Sequence, residues 1–294
     1  MKKLNNKELV ISVIIPFYNG NLFINSLIKN LDKVKRELQK TCIIDLEVII
    51  VNDSPETKVE YINVSKLNIK VINNLFNVGI HKSRVNGLEA ASGEWIIFLD
   101  QDDLLIPDGI LSALKKLDTG DVVVSNGFYE RKGKKERIYN NISSMKYLIR
   151  EEKFIKIRNL IASPGQCLIR RAAVPEIWKK NIIKQNGADD WYLWLLLFNE
   201  KAKFEVNNQY AYVHRSTEHG NISFNYEKMY LSCREMLDIL GEVSYPDKKE
   251  KKLARAIHFK YLKDIHRINL HQYLYYLDRF IDNVIYKINL AIRN

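Results

Sequence analysis

Gly93-Glu94-Trp95-Ile96-Ile97-Phe98-Leu99-Asp100-Gln101-Asp102-Asp103-Leu104-Leu105 is the stretch around which the chain is organised. Trp95 to Leu99 is a short unbroken apolar run, as expected of a strand buried on both faces. It stops at three carboxylates, Asp100, Asp102 and Asp103, with Gln101 among them. Like charges that close repel, and folding alone gives no reason to gather them at the exit of a core strand. A hard divalent cation, Mn2+ or Mg2+, does give one. Carboxylate oxygens are its preferred ligands, and it keeps coordination positions for substrate phosphates. Open α/β sheets also bind ligands just past the carboxyl ends of their strands. Taken alone, the stretch reads equally as an acidic surface turn before a helix starting near Pro107.

Outward from this strand the pattern alternates. Val10 to Ile15 predicts a strand halted by Pro16, with Phe17-Tyr18-Asn19-Gly20 as a turn. After Asn21, apolar residues at Phe23, Leu27, Leu31, Val34 and Leu38 recur at helical spacing. Leu46 to Val51 and Ile69 to Ile72 read as strands, and His81 to Ala91 as a helix closed by Ser92-Gly93. Pro107 suits the first turn of a helix reaching about Leu117, and Asp121 to Ser125 and Tyr210 to Val213 read as further strands. Alternating strands and helices imply an α/β fold with a doubly wound, mainly parallel sheet. Its strand ends converge on one edge, so Tyr18, Asn19, Asp53, Asp100 and Asp102 are expected in one site. Neither a Gly-x-Gly-x-x-Gly fingerprint after the first strand nor a Gly-Lys-Ser/Thr phosphate loop is present, which argues against a classical dinucleotide or P-loop site.

The 294 residues suffice for one large domain or a domain with an appendage, and their composition is that of a globular chain. No apolar run approaches the roughly 20 residues that span a bilayer. Met1 to Glu8 is polar and leads straight into a strand, unlike a signal peptide. Cys42, Cys167 and Cys233 are few and far apart, which predicts buried thiols in a reducing cytoplasm, with no disulfide framework or zinc site. A net charge of +11 predicts an anionic partner: nucleic acid, a membrane surface or a phosphate-bearing substrate.

Four pieces in order resemble the family-2 glycosyltransferases of the GT-A fold. They are Ser12-Val13-Ile14-Ile15-Pro16-Phe17-Tyr18-Asn19; Val48 to Ser54; Asn77-Val78-Gly79 leading to Ser83-Arg84-Val85-Asn86-Gly87-Leu88; and Gly93 to Asp103. Ser163-Pro164-Gly165-Gln166 and Gly187-Ala188-Asp189-Asp190-Trp191 are weaker matches. The resemblance implies a GT-A catalytic domain over 1–225, with a nucleotide-sugar half at 1–125 and an acceptor half at 126–225. A helical extension then covers 226–294.

By that resemblance Asp53 accepts a hydrogen bond from uracil N3–H, a match of donor to carboxylate. Pro16 and Tyr18 line the base and ribose, and Asn77, Arg84 and Gln101 join the nucleotide contacts. Asp100 meets the ribose or the metal, and Asp102 is the principal ligand of Mn2+ or Mg2+ on the UDP diphosphate. Asp103 orients its neighbours. His214, after the last strand, meets the diphosphate or the metal, although a lone His is more often structural. Asp189-Asp190 stands where the family usually has Glu-Asp. Asp190 is implied as general base with Asp189 positioning the acceptor, and the choice between the two adjacent residues stays open. On their residues alone, Asp53 reads as a turn residue, Arg84 as part of a solvated helix face, and the Asp pair as helix capping. Ser163 to Gln166 is expected as a loop below the acceptor, with Gly165 allowing close approach of a ligand and Gln166 equally a surface residue.

The implied reaction is inverting, metal-dependent transfer of a hexose or N-acetylhexosamine from a UDP-sugar to a hydroxyl of a lipid- or protein-linked glycan, in bacterial surface-glycan synthesis. The Gln-x-x-Arg-Trp motif of processive synthases is absent, which predicts one sugar per encounter. A nucleotidyltransferase would need a Gly-rich basic loop that Pro16 to Gly20 does not provide. A catalytically silent sugar- or membrane-binding module is the other rival, against which Asp53, Asp100, Asp102 and Asp190 all speak.

From Tyr226 the chain becomes helical, basic and rich in Tyr, Leu and Ile. Lys248 to Lys252, Arg255, Lys260, Lys263 and Arg267 interleave with Ile257, Tyr261, Ile265, Ile268, Tyr273, Leu277, Phe280 and Ile285. The pattern predicts either an amphipathic surface on an anionic inner membrane leaflet or a tail packed on the catalytic domain or a second subunit. Ser216 to Ser223, polar and Gly-containing, is expected as a lid. No nucleic-acid reading motif accompanies the charge.

Overall fold

The computed structural model describes residues 9–62, 67–215, 225–264 and 277–291. The first half is built of β1 (Leu9–Phe17), α1 (Asn21–Gln39), β2 (Ile44–Asn52), β3 (Asn68–Asn73), α2 (Ile80–Ala90) and β4 (Trp95–Phe98). β1 is central, parallel to β2 on one side and β4 on the other, and β3 adds in parallel beyond β2. The apolar runs of β1, β2 and β4 are buried on both faces, as a sheet covered by helices requires, whereas the edge strand β3 is only partly buried. α1 contributes Ile24, Leu27, Ile28, Leu31, Val34 and Leu38 to that cover.

Pro16 does not halt β1. The pairing of β1 with β4 ends at Ile14 and Phe98, whereas its pairing with β2 continues to Phe17 and Asn52. Ile14 faces β4, since its carbonyl accepts from Leu99 N. Two residues on, Pro16 turns its missing N–H to the same side, where β4 has already ended, so no ladder bond is lost.

The second half continues the same sheet. It comprises β5 (Leu104–Leu105), α3 (Pro107–Leu114), β6 (Val122–Arg131), β7 (Lys134–Arg137), α4 (Ile142–Leu148), α5 (Glu151–Lys156), β8 (Cys167–Arg170), α6 (Glu176–Lys180), α7 (Asp189–Asn199) and β9 (Phe204–Arg215). The strand order is β3-β2-β1-β4-β8-β6-β9-β5, with β7 paired to β6. The sheet is mainly parallel, but β8 is antiparallel to both its neighbours, β4 and β6. α3 stops at Leu114, three residues before the expected end, and β6 runs six residues beyond Ser125 into a hairpin with β7.

Three helices follow: α8 (Tyr226–Glu242), α9 (Asp247–Asp264) and α10 (Leu277–Ala291). α9 packs on α5 and α8, burying Leu253, Ile257 and Tyr261 in the main core, with Lys249 paired to Glu151 at 2.5 Å. The part of the extension held by α9 is therefore a tail packed on the body of the fold through α5. The expected lid, Ser216 to Ser223, lies outside the described residues, as do Met1 to Glu8 and the basic and apolar positions Ile265, Arg267, Ile268 and Tyr273. Among the described residues no helix is long and apolar enough to cross a membrane.

Candidate active site

The carboxyl ends of β1, β2 and β4, the turn before β8 and the start of α7 enclose a cleft of about 880 Å3. Pro16, Tyr18, Asp53, Asn77, Arg84, Asp100, Gln101, Asp102, Asp189, Asp190 and His214 all line it. Residues spread over most of the sequence thus meet in one place, for the reason the parallel strand order predicts.

At one end lies Asp53, buried at the tip of β2. Its Oδ1 accepts from Asn74 Nδ2 and Val78 N, both at 2.8 Å, and its Oδ2 from Gly79 N at 2.9 Å. A carboxylate has about four acceptor positions, so one remains on Oδ2. The turn-residue role belongs instead to Asn52, whose Oδ1 accepts from Ser54 N and Oγ. Gly79 sits at φ +85°, a conformation a side chain would strain, and Asn77 Oδ1 accepts from its N–H at 3.1 Å. Tyr18 stands at the rim, 55% exposed. Gln101 accepts from Tyr18 N at 2.9 Å and donates to Tyr18 O at 3.1 Å, so its amide latches β1 to β4.

The three acids after β4 diverge. Asp100 accepts from Arg84 Nη2 at 2.7 Å and from Ser163 Oγ at 3.4 Å. Asp103 is fully buried and turned toward β9, where it accepts from Tyr212 Oη and from Arg215 N and lies 3.4 Å from His214 Nδ1. Asp102 accepts from Arg215 Nε through its backbone carbonyl, and its carboxylate accepts from no described side chain. Burial, then the charges of Asp103 and Asp100, push its carboxyl up to about 7. His214 lies within β9, because that strand keeps pairing with β6 through Tyr129–His214 and Glu130–Arg215. Burial opposes its protonation, but the hydrogen bond and charge of Asp103 outweigh this and raise its pKa. Among the described residues no three His, Cys, Asp or Glu side chains converge as a preformed metal cage.

At the other end is the start of α7. Asp189 is 2% exposed, with Oδ2 2.5 Å from Arg84 Nη1 and its carbonyl accepting from Trp178 Nε1. Arg84 is itself 3% exposed and spans Asp100 and Asp189 while lining the cleft, so it is not a solvated helix residue. Asp190 accepts from Asn159 Nδ2 at 2.8 Å and from Trp191 N at 2.6 Å. Burial and then the charge of Asp189 push its carboxyl up to about 7, against the pull of Arg84 and these two donors. Asp189 is committed to Arg84, and Asp190 is the member of the pair suited to exchange a proton near neutrality.

Two expectations change. Gly165 admits no ligand: its Cα is approached by the Tyr212 ring, which a Cβ would meet at 2.7 Å. Gln166 is buried, donating to Ser125 O and accepting from Ala162 N, because it fills the capping position of the turn entering β8. Cys42 is half-buried, unlike Cys167 and Cys233. Sequence reading missed Asn74, Asn159, Tyr212 and His81. His81 is buried, with Nδ1 accepting from Ile183 N at 2.9 Å and Nε2 3.1 Å from Trp178 O, and burial pushes its pKa down to about 4. It bolts α2 to the segment that delivers Asp189. Its place in the Gly79 to Leu88 stretch was the available signal.

The model of the family described as Glycosyl transferase family 2 matches residues 12–178, more than half of the chain. The chain is a member of glycosyl transferase family 2. A Campylobacter jejuni GalNAc(5)-diNAcBac-PP-undecaprenol β-1,3-glucosyltransferase is 24% identical over 85% of this glycosyltransferase and 80% of its own length. The Escherichia coli UDP-Glc:α-D-GlcNAc-diphosphoundecaprenol β-1,3-glucosyltransferase WfgD is 23% identical over 80% and 87%. Among solved structures, Staphylococcus aureus TarS 1–349 with UDP-GlcNAc superposes with a TM-score of 0.59 at 19% identity, covering 97% of this chain and 82% of that one. The mannosyltransferase PcManGT of Pyrobaculum calidifontis, with GDP-Man and Mn2+, gives 0.56 at 15% identity over 98% and 88%. The glycosyltransferase therefore has the GT-A fold of these enzymes.

Proposed function

We infer that this glycosyltransferase moves a hexose or N-acetylhexosamine from a UDP-sugar to a hydroxyl of a lipid-linked glycan, inverting the anomeric centre, in bacterial surface-polysaccharide synthesis. The observation that carries the reading is the cleft itself. Asp53, with one acceptor position open, and Asp190, with a proton affinity near neutrality, line its two ends. The open Oδ2 position suits the N3–H of uracil and refuses the N3 lone pair of cytosine. Asp190 takes the proton of the acceptor hydroxyl as that oxygen bonds to the anomeric carbon, and the electron pair of the broken C–O bond leaves with UDP. One base and one displacement invert the centre. Arg84 holds the Asp189 side chain in place beside it.

Asp102, with Asp100 beside it and His214 on the same cleft, offers the oxygen-rich donor set that a hard cation selects, and its carboxyl is raised by burial first and then by the charges of Asp103 and Asp100, which a cation would offset. Asp102 and Asp100, with His214, would hold Mn2+ or Mg2+, which when bound neutralises charge on the departing diphosphate. The glycan acceptor follows the names of the Campylobacter and Escherichia relatives, both of which carry sugars on an undecaprenol diphosphate. On this reading 1–125 binds the donor and 126–225 the acceptor. Residues 226–294 meet an anionic membrane face or a second copy, and the enzyme works at the cytoplasmic side of the cell membrane.

The test is thermal stabilisation by UDP, GDP and CDP, each with and without Mn2+, on the wild type and on Asp102→Asn. A UDP shift that needs Mn2+ and fades in the variant is expected. The absence of a shift with every nucleotide would overturn the reading.

A further inference from the structure

A surface helix ordinarily turns its apolar stripe inward. α10 does the reverse. Ile281, Val284, Ile285 and Ile288, spaced by single helical turns, are 36–49% exposed. The less exposed side carries Asp282, Asn283 and Tyr286. Tyr286 fixes the helix to the body: it packs on the core, and its Oη lies 2.7 Å from Arg158 Nη2, whose guanidinium also covers the ring at 5.1 Å. Arg158 precedes Asn159, the residue that donates to Asp190. Arg158 and Tyr286 also act on Tyr129, whose ring meets His214 edge-on at 5.7 Å. α10 therefore sits beside the Asp190 end of the cleft with Ile281, Val284, Ile285 and Ile288 on its more exposed side.

Tyr129 leads into the β6–β7 hairpin, which is exposed from Arg131 to Arg137 and carries Lys132, Lys134, Lys135 and Arg137 against the single acid Glu136. An outward apolar stripe next to an exposed basic loop is the chemistry of a surface that rests on anionic lipid, aliphatic groups entering the acyl boundary and cations meeting head groups. A second copy fits less well. Two such faces would bring two basic hairpins together in a chain of net charge +11, whereas an anionic bilayer offsets both features at once.

We propose that the outward stripe of α10 and the β6–β7 hairpin form one docking surface for an anionic bilayer, presenting the Asp190 end of the cleft to an acceptor held in that bilayer. The proposal rests on the lipid-linked acceptor inferred above and identifies the surface that delivers it. Flotation of the full chain with vesicles of phosphatidylcholine alone, or with about a third phosphatidylglycerol, tests it. Three proteins are compared: wild type, Ile281→Ser with Ile288→Ser, and Lys132→Glu with Lys134→Glu and Lys135→Glu. The wild type should float with the anionic vesicles only, and each variant at least about tenfold less, since one basic residue near such a surface is worth roughly fivefold. The UDP thermal shift of both variants should stay unchanged, which shows that they fold. Equal flotation of wild type and stripe variant, or none of the wild type, would overturn the proposal. A dimer seen by light scattering that the stripe variant abolishes, without vesicle binding, would assign the face to a second copy and overturn it too. Retained flotation with no UDP shift in the wild type would support the docking surface and strike only the catalytic reading.

Discussion

Arg84 Nη1 lies 2.5 Å from Asp189 Oδ2, with both side chains 4% exposed, while Nη2 reaches Asp100 at 2.7 Å. One guanidinium thereby ties the strand end carrying the acidic cluster to the helix end carrying Asp189 and Asp190. Removing it leaves an enclosed carboxylate uncompensated, which typically costs about 3–5 kcal/mol. Arg84→Met should lose about that much stability in urea unfolding. Arg84→Lys, which keeps the charge but loses the fork that spans two partners, should fall between. An unchanged unfolding midpoint in the Met variant would show the clamp to be energetically neutral.

Asp190→Asn preserves shape and the bond from Trp191 N but cannot take a proton. Transfer should fall about 10²–10⁴-fold with UDP binding unchanged. In the wild type kcat/KM should rise with pH through about 7 as Asp190 ionises, a limb the variant lacks. Stability moves the other way. Folding raises the carboxyl from 3.8 to about 7, so the folded state keeps a proton that the unfolded chain has released, and this group's contribution declines as pH rises across that window. The melting temperature of Asp190→Asn should therefore gain on the wild type over the same range. A flat activity profile there would exclude Asp190 as the base.

Asp53 holds the fold together, and on the proposed function it also reads the donor base. Asp53→Ala leaves Val78 N–H without its acceptor, at about 1–3 kcal/mol, while Gly79 N–H keeps Asn77 Oδ1 and the Asn74 amide keeps Ser83 Oγ. Asp53→Asn retains one oxygen but turns an N–H donor toward either Gly79 or the base. Calorimetric titration should show UDP binding about tenfold weaker or worse in the Asn variant, the worth of a charged hydrogen bond. Equal affinity would place the base elsewhere in the cleft.

Gly87 faces β1 from α2, and a Cβ there would stand 2.3 Å from Ile14 Cγ2 and 3.1 Å from Val51 Cγ2. Ala elsewhere in a helix gains about 1 kcal/mol over Gly, but overpacking a closed core costs about 1–3 kcal/mol. Ile14 is fully buried on the central strand and has no room to yield, so the second effect should win. Gly87→Ala is expected to melt lower by about 2–4 °C per kcal/mol lost. A higher melting point would mean that the strand shifts more freely than its burial suggests.

The first half of the chain was legible because its signals are local. Apolar runs ended by polar residues located β1, β2, β3 and β4 to within two residues, and the parallel order then required their tips to converge. Pro16 misled because a missing N–H matters only where a partner strand still runs alongside, which is a fact about β4, not about β1. β8 showed no sign of its direction, since antiparallel pairing is set by the neighbours that receive a strand. Gln101, Arg84 and Asn159 look like ordinary surface residues in the sequence, and their partners lie 83, 105 and 31 positions away. Distances of that kind are created by the fold and leave no periodic trace.

The reversed direction of β8 decides where α4 and α5 sit. β6 leaves the sheet at the cleft edge, and β8, running against it, re-enters at that same edge. The intervening chain, from the end of the β6–β7 hairpin through Gln166, carries both helices and begins and ends on neighbouring strands. It is built into the molecule: Met145, Leu148, Phe154, Ile155, Leu160 and Ile161 join the main core, and α5 packs on α7 and α9. Asn159 and Ser163, which hold Asp190 and Asp100, belong to this packed piece, so two carboxylates of the cleft take their positions from the same core that carries the sheet.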